Sequence, residues 1–388
     1  KVKRAKEASF FSMNLSTNQD VLIIGGGIIG LSIARKLHQK GLRKITIVER
    51  GRVGRESSFA AAGMLAAQAE TDKIDDFFHF CIESNTLYPK FAEELIDETG
   101  VDIELDKNGT LFLALTEDDE AEIRRRFRWQ KKAGLRVEHL SAAEVRKAEP
   151  FVSPDTREAL FFPNDWQVEN RNLLAALQKY AAINKIEIIE GAEVKSLLVE
   201  KEKIVGAETS DSKFFAEKTV LATGAWTSLI KIGEDVLSPL DVKPIRGQML
   251  CFKTAKRLFS KVIYSPRGYI VPRQSGRILA GATVEDAGFD KSITPSGIDF
   301  VRENALEIAP SLINLEASEK WSGLRPFAPD GLPILGEFPQ MENLFVATAH
   351  YRNGILLAPL TAEILASKIV ENKDSEYLRA FSPRRFQK

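Results

Sequence analysis

The chain has 388 residues, 44% of them hydrophobic and 28% charged, a composition that is ordinary for a globular protein. Its 54 basic side chains balance its 54 acidic ones, so net charge does not favour nucleic acid or an anionic membrane as a partner. Two cysteines, Cys81 and Cys251, are too few for a disulfide framework and predict a reducing, cytoplasmic location. The longest apolar run, residues 21–34, is interrupted by glycine and is shorter than the roughly 20 residues of a membrane span.

The first twelve residues are basic and lack the apolar core of a secretory signal. Met13 is a plausible natural start, so residues 1–12 are predicted to be an extension without function. The remaining length is enough for two structural regions that share a substantial core.

A βαβ unit is predicted at the beginning of the chain. Residues 21–24 are an apolar run followed by three glycines, which is typical of a strand buried on both faces. Leu31, Ala34 and Leu37 then recur at helical spacing, and residues 45–48 form a second apolar run. This order indicates a parallel α/β sheet.

The middle of the chain has a different pattern. Helices are predicted over residues 77–98 and 117–133, and an antiparallel hairpin with arms at 269–273 and 277–282. Pro272 inside the first arm predicts an edge strand or a bulge, because proline donates no ladder hydrogen bond.

Near the C-terminus, residues 344–347 read as a buried strand, and a helix is predicted from about Pro359 to Val370. We therefore predict an α/β fold (α+β overall), in which a discontinuous Rossmann-like dinucleotide-binding domain carries an inserted substrate domain with a mixed, antiparallel β-sheet. The predicted boundaries are residues 13–95, 161–230 and 323–388 for the dinucleotide-binding domain and 96–160 and 231–322 for the substrate domain.

Gly25, Gly27 and Gly30 form a G-x-G-x-x-G motif between the first strand and the first helix. These glycines allow a tight turn, close approach of a pyrophosphate to the backbone, and close packing of helix on strand. Glu49 follows at the end of the second strand, where a carboxylate accepts hydrogen bonds from ribose hydroxyls. A dinucleotide site is predicted. The alternative is a structural turn with a surface glutamate, and the motif by itself does not choose between NAD and FAD.

Three further segments bear on that choice: residues 57–64, the strand that ends in Ala222-Thr223-Gly224, and residues 350–359. They resemble the flavoproteins of the D-amino-acid oxidase superfamily, in which these segments line FAD. The likeness is sharper to the glycine oxidase family, which is associated with the thiazole of thiamine. It rests on residues 58–70, 269–273, 323–326 and 352–357.

The resemblance implies FAD. Relatives that bind FAD covalently do so through a cysteine shortly before the final flavin strand, and neither Cys81 nor Cys251 lies there, so non-covalent binding is expected. Val194 is expected to lie on the strand after Gly191, where the family offers backbone groups to adenine. The implied cofactor contacts, with the glycines of the motif, are Gly25, Gly27, Ile28, Ile29, Gly30, Glu49, Arg50, Ser57, Ser58, Ala62, Gly63, Met64, Val194, Gly224, His350, Tyr351, Arg352, Asn353, Gly354, Ile355 and Leu356.

For the substrate, the resemblance implies that Arg325 binds a carboxylate, with Arg352 beside the substrate and Tyr269 adding a hydroxyl. An arginine suits this role because its planar fork grips a carboxylate bidentately. Without the resemblance, an arginine is more often a solvated surface residue, and a strand tyrosine is more often half-buried in packing, than part of a substrate site. Arg267 stands where the family has a histidine two residues before the tyrosine, which leaves the pocket mouth and the substrate range open.

The implied reaction is oxidation of glycine, sarcosine or small D-amino acids. Hydride passes from Cα of the neutral amine to FAD, the imine hydrolyses to a 2-oxo acid such as glyoxylate with ammonia or an amine, and oxygen yields hydrogen peroxide. The four histidines are scattered, so neither a dedicated base nor a metal site is predicted. The family further implies a homotetramer and makes a thiazole synthase a candidate partner.

Three alternatives remain at this point. The first is an FAD-dependent D-amino-acid dehydrogenase or sarcosine-oxidase-like enzyme with an acceptor other than oxygen, which oxygen consumption would distinguish. The second is a flavin-binding subunit without turnover, in which loss of Arg325 would change nothing. The third is a nicotinamide dehydrogenase, which leaves Ala222–Gly224 and the C-terminal segment unexplained and would lack a flavin spectrum.

Overall fold

A computed structural model describes residues 19–386 except 234 and 237–239, and the predicted extension, residues 1–12, lies outside the described residues. The helices are α1 (Ile28–Gln39), α2 (Ser57–Ala60), α3 (Asp76–Thr99), α4 (Glu117–Lys132), α5 (Ala142–Ala148), α6 (Asn170–Ile183), α7 (Pro295–Ile308), α8 (Gly354–Glu371) and α9 (Glu376–Ala380).

The strands belong to two large sheets and one two-stranded sheet. They are β1 (Gln19–Ile24), β2 (Ile45–Val48), β3 (Met64–Leu65), β4 (Thr110–Ala114), β5 (Glu138–Ser141), β6 (Glu158–Phe162), β7 (Trp166–Gln167), β8 (Glu187–Ile189), β9 (Ser196–Glu200), β10 (Lys203–Glu208), β11 (Lys213–Leu221), β12 (Lys231–Ile232), β13 (Asp235–Val236), β14 (Lys243–Lys253), β15 (Val262–Ser265), β16 (Gly268–Pro272), β17 (Arg277–Gly281), β18 (Ala317–Phe327), β19 (Ile334–Glu337) and β20 (Leu344–Thr348).

The first sheet has a parallel centre in the order β20-β11-β1-β2-β8. Strands β9, β10, β12 and β13 extend it on the β11 side, and β19 pairs antiparallel with β20. Both faces of β1 are buried, since Val21 and Ile23 pack in the core under α1, α3, α6 and α8, while Leu22 and Ile24 pack in the opposite core. This explains the unbroken apolar run of the first strand.

The second sheet has the order β18-β14-β17-β16-β15-β4-β6-β5 and is antiparallel except for the β15–β4 pair. Its long strands β14 and β18 pair over their length, from Lys243 opposite Phe327 to Phe252 opposite Ala317. Helix α7 packs on this sheet through Ile298, Val301 and Ala305. The predicted α/β class with a mixed, antiparallel second sheet is confirmed.

The predicted βαβ unit, the helices over 77–98 and 117–133, the hairpin and the strand at 344–347 are all present within one or two residues. Two details are wrong. Strand β16 lies inside its sheet, between β15 and β17, and is not an edge strand. Pro272 is tolerated because it is the last residue of β16, beyond Ile270, where the pairing with β15 ends.

The C-terminal helix begins at Gly354 and not near Pro359, so the proline lies inside α8. A proline there leaves the carbonyl four residues earlier, that of Ile355, without its helical donor. The buried hydroxyl of Tyr88 on α3 donates to this carbonyl instead, and Ser84 donates to the next carbonyl, Leu356, at 2.6 Å. Tertiary contacts therefore supply what the helix lacks.

Sheet membership differs from the predicted domain boundaries at three places. Strand β6 of the second sheet runs through residue 160, β12 and β13 beyond residue 230 belong to the first sheet, and β18 of the second sheet runs through residue 322. The division into two interleaved domains stays a prediction. Within the described part of the chain, no helix is both long and apolar enough to cross a membrane.

Candidate functional site

The glycine-rich turn joins β1 directly to α1. Gly25 has φ of 108°, and a β-carbon there would lie 2.4 Å from the carbonyl oxygen of Ala222. A β-carbon on Gly30 would lie 2.0 Å from the carbonyl oxygen of Gly25. Both positions therefore require glycine, and the N-terminus of α1 opens without a side-chain cap at Gly27. Such an end offers amides and a positive dipole to an anion.

Glu49 follows β2 and is 8% exposed. One carboxylate oxygen accepts a hydrogen bond from the amide of Gly26 at 2.8 Å, and the other accepts from the amide of Gly51 at 2.9 Å. The carboxylate thus holds the glycine-rich turn while it borders the cavity beside it. This is the position that ribose recognition requires.

A cavity, here called the first cavity, runs along the ends of the parallel strands beside this turn. Its described lining includes the predicted residues Gly25, Gly27, Ile28, Ile29, Glu49, Arg50, Ser57, Ser58, Val194, Gly224, His350, Tyr351, Arg352, Gly354 and Ile355. Gly30 and Leu356 line neither this cavity nor the second one described below. Gly30 serves packing, and the side chain of Leu356 is in the core.

Val194 borders the first cavity, but it does not lie on a strand, because β9 begins only at Ser196. Its segment is fixed by the amide of Ala192, which donates to the carbonyl of Glu49 at 3.0 Å. The amide of Lys195 donates to Glu208 at 2.9 Å. The predicted strand at Val194 is wrong, and its contact with the cofactor stays a prediction.

Trp226 and Glu56 are among the lining residues of the first cavity that were not predicted as cofactor contacts. The guanidinium carbon of Arg50 lies 3.6 Å from the ring centroid of Trp226, a cation–π contact. Arg50 also pairs with Glu56 at 2.8 Å, and Glu56 pairs with Lys291 at 3.0 Å. In the sequence, Ala222-Thr223-Gly224 at the end of a strand indicated a backbone turn at the cofactor. The contact between Trp226 and Arg50 becomes visible only in the structure.

Residues 57–64 connect the first cavity to the second sheet. The Ser58 hydroxyl accepts from the amide of Ile28 at 2.9 Å, whereas the Ser57 hydroxyl donates to the carbonyl of Leu324 on β18. Trp321, also on β18, donates from Nε1 to the carbonyl of Ala60 at 3.0 Å. The segment is therefore held between the N-terminus of α1 and strand β18 of the second sheet.

Arg273, at the end of the first predicted hairpin arm, also binds the segment of residues 57–64. Its guanidinium is fully buried and donates to the carbonyls of Ala62 and Val168, each at 2.7 Å. Burial lowers the pKa of Arg273 to about 10, although the nearby carboxylate of Glu169 opposes this. Arg273 was not predicted as a site residue, although it ends one of the resembling segments.

The turn before α8 places two non-glycine residues, Ala349 and Tyr351, in the left-handed region, with φ of 58° and 47°. The amide of Tyr351 donates to the carbonyl of Pro326 at 3.1 Å, which ties the turn to β18. His350 is buried and lies 3.1 Å from the Thr361 hydroxyl. Burial lowers the pKa of His350 to about 3, so this imidazole is neutral and is not a general base at neutral pH.

The second cavity lies against the second sheet and shares Ser57, Ala61, Tyr351, Arg352 and Ile355 with the first, so the two meet. Ala62, Gly63, Met64 and Asn353 of the predicted cofactor contacts line this second cavity. So do all three predicted substrate residues, Tyr269, Arg325 and Arg352. Residues separated by more than 80 positions in the sequence are thus brought to one place.

Arg325 and Tyr269 each lie over a glycine of the neighbouring strand. A β-carbon on Gly247 would lie 2.3 Å from Nη2 of Arg325, and one on Gly281 would lie 2.6 Å from the hydroxyl of Tyr269. Nη1 of Arg325 donates to the carbonyl of Thr283 at 3.0 Å. Burial raises the pKa of Tyr269, although the charge of Arg325 opposes this, so the phenol is a neutral donor.

Glu70 is the acidic side chain of the second cavity, and it was not predicted. Its charge, with burial, raises the pKa of Tyr264. Burial by itself would lower the pKa of Arg352. Its interactions with Glu70, Tyr351 and Tyr264 outweigh burial and raise this pKa, so Arg352 stays charged. The only sequence signal was that Glu70 ends the resembling segment 58–70. The cavity therefore offers cations for a carboxylate and one anion for an ammonium group.

The segment that carries Glu70 is clamped from both sides. The fully buried carboxylate of Asp165 accepts from the amides of Gln68 at 3.0 Å and Ala69 at 2.7 Å. On the other side, Arg126 of α4 donates to the carbonyls of Ala69 at 3.0 Å and Thr71 at 2.8 Å. Neither Asp165 nor Arg126 was predicted, because each acts through backbone far away in sequence.

Arg267 lines the second cavity, as its place in the sequence suggested. Its guanidinium pairs with Asp119 at 2.7 Å and with Glu307 at 3.0 Å. Two carboxylates therefore neutralise its charge at the cavity wall. Arg267 is therefore not available as an unpaired cation that could bind a second acidic group of the substrate.

With both cavities established, comparison with known proteins gives a consistent result. The family model described as FAD dependent oxidoreductase (DAO) matches residues 20–368. Glycine oxidase of Geobacillus kaustophilus is 36% identical over 360 residues, which is 92% of this chain and 94% of that protein. The bifunctional protein ThiO/ThiG of Trichormus variabilis is 36% identical over 383 residues, 95% of this chain but 55% of the longer protein.

The solved structures agree. The crystal structure of glycine oxidase from Geobacillus kaustophilus superposes with a TM-score of 0.89 at 35% identity, covering 94% of this chain and 98% of that one. Glycine oxidase from Bacillus cereus has a TM-score of 0.87 at 33% identity, covering 96% and 100%. The similarity therefore extends over nearly the whole chain.

Proposed function

The chain belongs to the DAO family of FAD-dependent oxidoreductases, and from this premise we propose that it is an oxidase of glycine, sarcosine and small D-amino acids. The predicted family, enzyme class and FAD cofactor are confirmed, and the donor is an amine. A nicotinamide dehydrogenase is thereby set aside. The substrate, the acceptor and the residue roles that follow belong to the proposal.

The observation that carries the proposal is the lining of the second cavity, which contains Arg325, Tyr269, Arg352 and Glu70. Arg352 also lines the first cavity, so the two cavities join there. Arg325 is placed to bind the substrate carboxylate bidentately, and Tyr269 adds a neutral hydroxyl. Glu70 supplies the opposite charge for the ammonium group. The arrangement is complementary to a zwitterionic amino acid.

The first cavity fits the dinucleotide. The N-terminus of α1, where Gly27 provides no side-chain cap, suits the pyrophosphate, and Glu49 suits the ribose. The N-terminus of α8, at Gly354, faces the junction of the two cavities, where a helix dipole stabilises negative charge. Cys81 and Cys251 line neither cavity among the described residues, which supports non-covalent binding.

Bound FAD supplies the two-electron acceptor that passes electrons on to oxygen. The chain's own residues bind and orient: Arg325 and Tyr269 fix the carboxylate so that Cα is presented toward the first cavity. His350 is neutral and bonded to Thr361, so no side chain is assigned as a dedicated base. The bound ammonium group loses one proton to solvent to give the neutral amine, which is the reactive form, and orientation of that amine contributes to catalysis.

Anaerobic mixing of the holoprotein with glycine, sarcosine or D-alanine tests the proposal. We expect the flavin absorbance to bleach with each, and peroxide to form in air without an added acceptor. The variant R325K should raise KM for glycine by about 10- to 100-fold, since a charged bidentate contact is worth roughly 1.5–3 kcal/mol. No bleaching with any of the three would overturn the substrate assignment.

The same experiment separates the alternatives. Bleaching without oxygen consumption would indicate a dehydrogenase with another acceptor. Activity that is unchanged in R325K would indicate that the turnover belongs to another protein.

The bifunctional ThiO/ThiG relatives support a further proposal, that the imine or its product feeds thiazole formation in partnership with a thiazole synthase. We also propose a homotetramer, which sedimentation of the holoprotein would test.

A further inference from the structure

The carboxylate of Glu285 lies behind the second cavity and joins three side chains. Oε2 accepts from Arg246 through Nη2 at 2.5 Å and through Nε at 3.1 Å. Oε1 accepts from Nε2 of Gln248 at 2.9 Å and from the hydroxyl of Thr283. Although burial opposes ionisation, these hydrogen bonds lower the pKa of Glu285. The group is an anion with four donors.

These contacts attach residues 283–285 to β14. The amide of Arg246 donates to the carbonyl of Glu285 at 2.9 Å, and the amide of Glu285 donates back at 3.0 Å. The amide of Gln248 donates to the Thr283 hydroxyl at 2.8 Å. Side chains and backbone together therefore fix the carbonyls of Thr283 and Arg246 relative to each other.

Arg325 uses these two carbonyls as its support. Its Nη1 donates to Thr283 at 3.0 Å and, more weakly, to Arg246 at 3.4 Å. Gly247, between Arg246 and Gln248, leaves room for the guanidinium to lie flat on β14. Since a guanidinium has five N–H groups in a rigid plane, fixing one edge sets the direction of the others.

We propose that Glu285, through its ion pair with Arg246, is a positioning residue that orients Arg325 toward the substrate carboxylate. The inference rests on the proposed role of Arg325. Glu285 itself does not line the second cavity among the described residues, so it acts through Thr283 and Arg246. A purely structural ion pair would instead contribute to stability alone.

The test uses the holoenzyme and acetate, which keeps the carboxylate of the substrate but has no amine. We expect E285Q to raise the inhibition constant of acetate and KM for glycine by about tenfold each. The variant R246K keeps the positive charge but loses the two parallel hydrogen bonds of the guanidinium to Glu285. It should raise both constants in the same way, and it replaces E285Q in the test if E285Q does not fold. In an R325K background, E285Q should change either constant less than twofold.

E319Q is the matched control, because Glu319 lies on the same strand as Arg325 and pairs with Arg171 at 2.9 Å. It should leave the acetate constant unchanged. A lower melting temperature of E285Q with an unchanged acetate constant would overturn the inference, as would a full tenfold effect in the R325K background. If R325K alone leaves the acetate constant unchanged, the proposed function fails, whatever E285Q does.

Discussion

Gly247 lies directly beneath Arg325, and a β-carbon at residue 247 would come within 2.3 Å of Nη2 and 2.4 Å of Nη1. The two residues are on adjacent strands, β14 and β18, whose pairing sets this overlap. The space above Gly247 is thus part of the candidate substrate site.

The variant G247A should displace the guanidinium of Arg325 by about 1 Å. A misplacement of this size can cost about 100-fold, so we expect kcat/KM for glycine to fall by one to two orders of magnitude. The fold should survive, because the atoms in conflict are the end of a flexible side chain. Peroxide release measures the first effect and thermal unfolding the second. An unchanged kcat/KM would show that Arg325 is not held over this glycine during turnover.

Glu49 accepts two backbone amides at the glycine-rich turn and is proposed to bind the ribose. In E49A both amides lose their partner, and we expect the Kd for FAD to rise by about 10- to 100-fold, corresponding to roughly 1.4–2.8 kcal/mol. Titration of the apoprotein with FAD gives the Kd. E187A is the control, because Glu187 on the adjacent β8 accepts a hydrogen bond from the Thr46 hydroxyl at 2.9 Å and, among the described residues, lines neither cavity. Equal affinities for E49A and E187A would contradict the assignment.

Burial raises the pKa of Asp165 to about 7, although the amides of Gln68 and Ala69 oppose this. An unfolded aspartate has a pKa near 3.9, so unfolding releases a proton between about pH 4 and pH 7. The stability that Asp165 contributes is therefore complete below pH 4 and is lost as the pH rises through 7.

The free energy of unfolding of the wild type, relative to that of D165N, should thus be larger at pH 5 than at pH 8 by about 2 kcal/mol, because the wild type is more stable at the lower pH. Urea denaturation at the two pH values measures this difference. The exposed Asp211 provides a control, D211N, which should show no such difference. A D165N value that follows the wild type at both pH values would refute the expectation.

Tyr88 donates to the carbonyl of Ile355, which Pro359 leaves without a helical donor. Y88F should therefore destabilise the protein by about 1–3 kcal/mol, the cost of a buried acceptor without a partner. In a P359A background the new amide can serve this carbonyl, so the same substitution should cost less. Denaturant unfolding of the four proteins measures the coupling. Y180F, which removes a hydroxyl bonded to His38 at 2.9 Å, should cost the same in both backgrounds.

Much of the fold was predictable because its signals are local. An apolar run before Gly25, helical spacing after it and a carboxylate at Glu49 specify a βαβ unit within about 30 residues. Arg325 was predictable in an extended segment because Pro326 restricts its backbone. The errors arose where a tertiary contact overrides a local preference. The sequence predicts a start of the last helix near Pro359, but the proline lies inside α8, because Tyr88 supplies the hydrogen bond that the proline cannot donate.

The side chains that support the site were not predictable in this way. Asp165 acts on the amide of Gln68 from 97 residues away, and Arg273 acts on the carbonyl of Ala62 from 211 residues away. Glu285 likewise reaches Arg325 only through the backbone of another strand. No periodicity or motif encodes such contacts, since they exist only after the strands have paired.

By itself, therefore, the sequence determined the dinucleotide turn, the α/β class and, through its resemblance, the family and cofactor. Those depend on short-range backbone geometry and on motifs that remain readable in order along the chain. Tertiary structure alone decided that Glu70 and Arg352 line the same cavity, that Arg267 is neutralised by Asp119 and Glu307, and that Arg325 lies over Gly247. The physical reason is that charge complementarity depends on distances across strands, and strand pairing and helix packing set those distances.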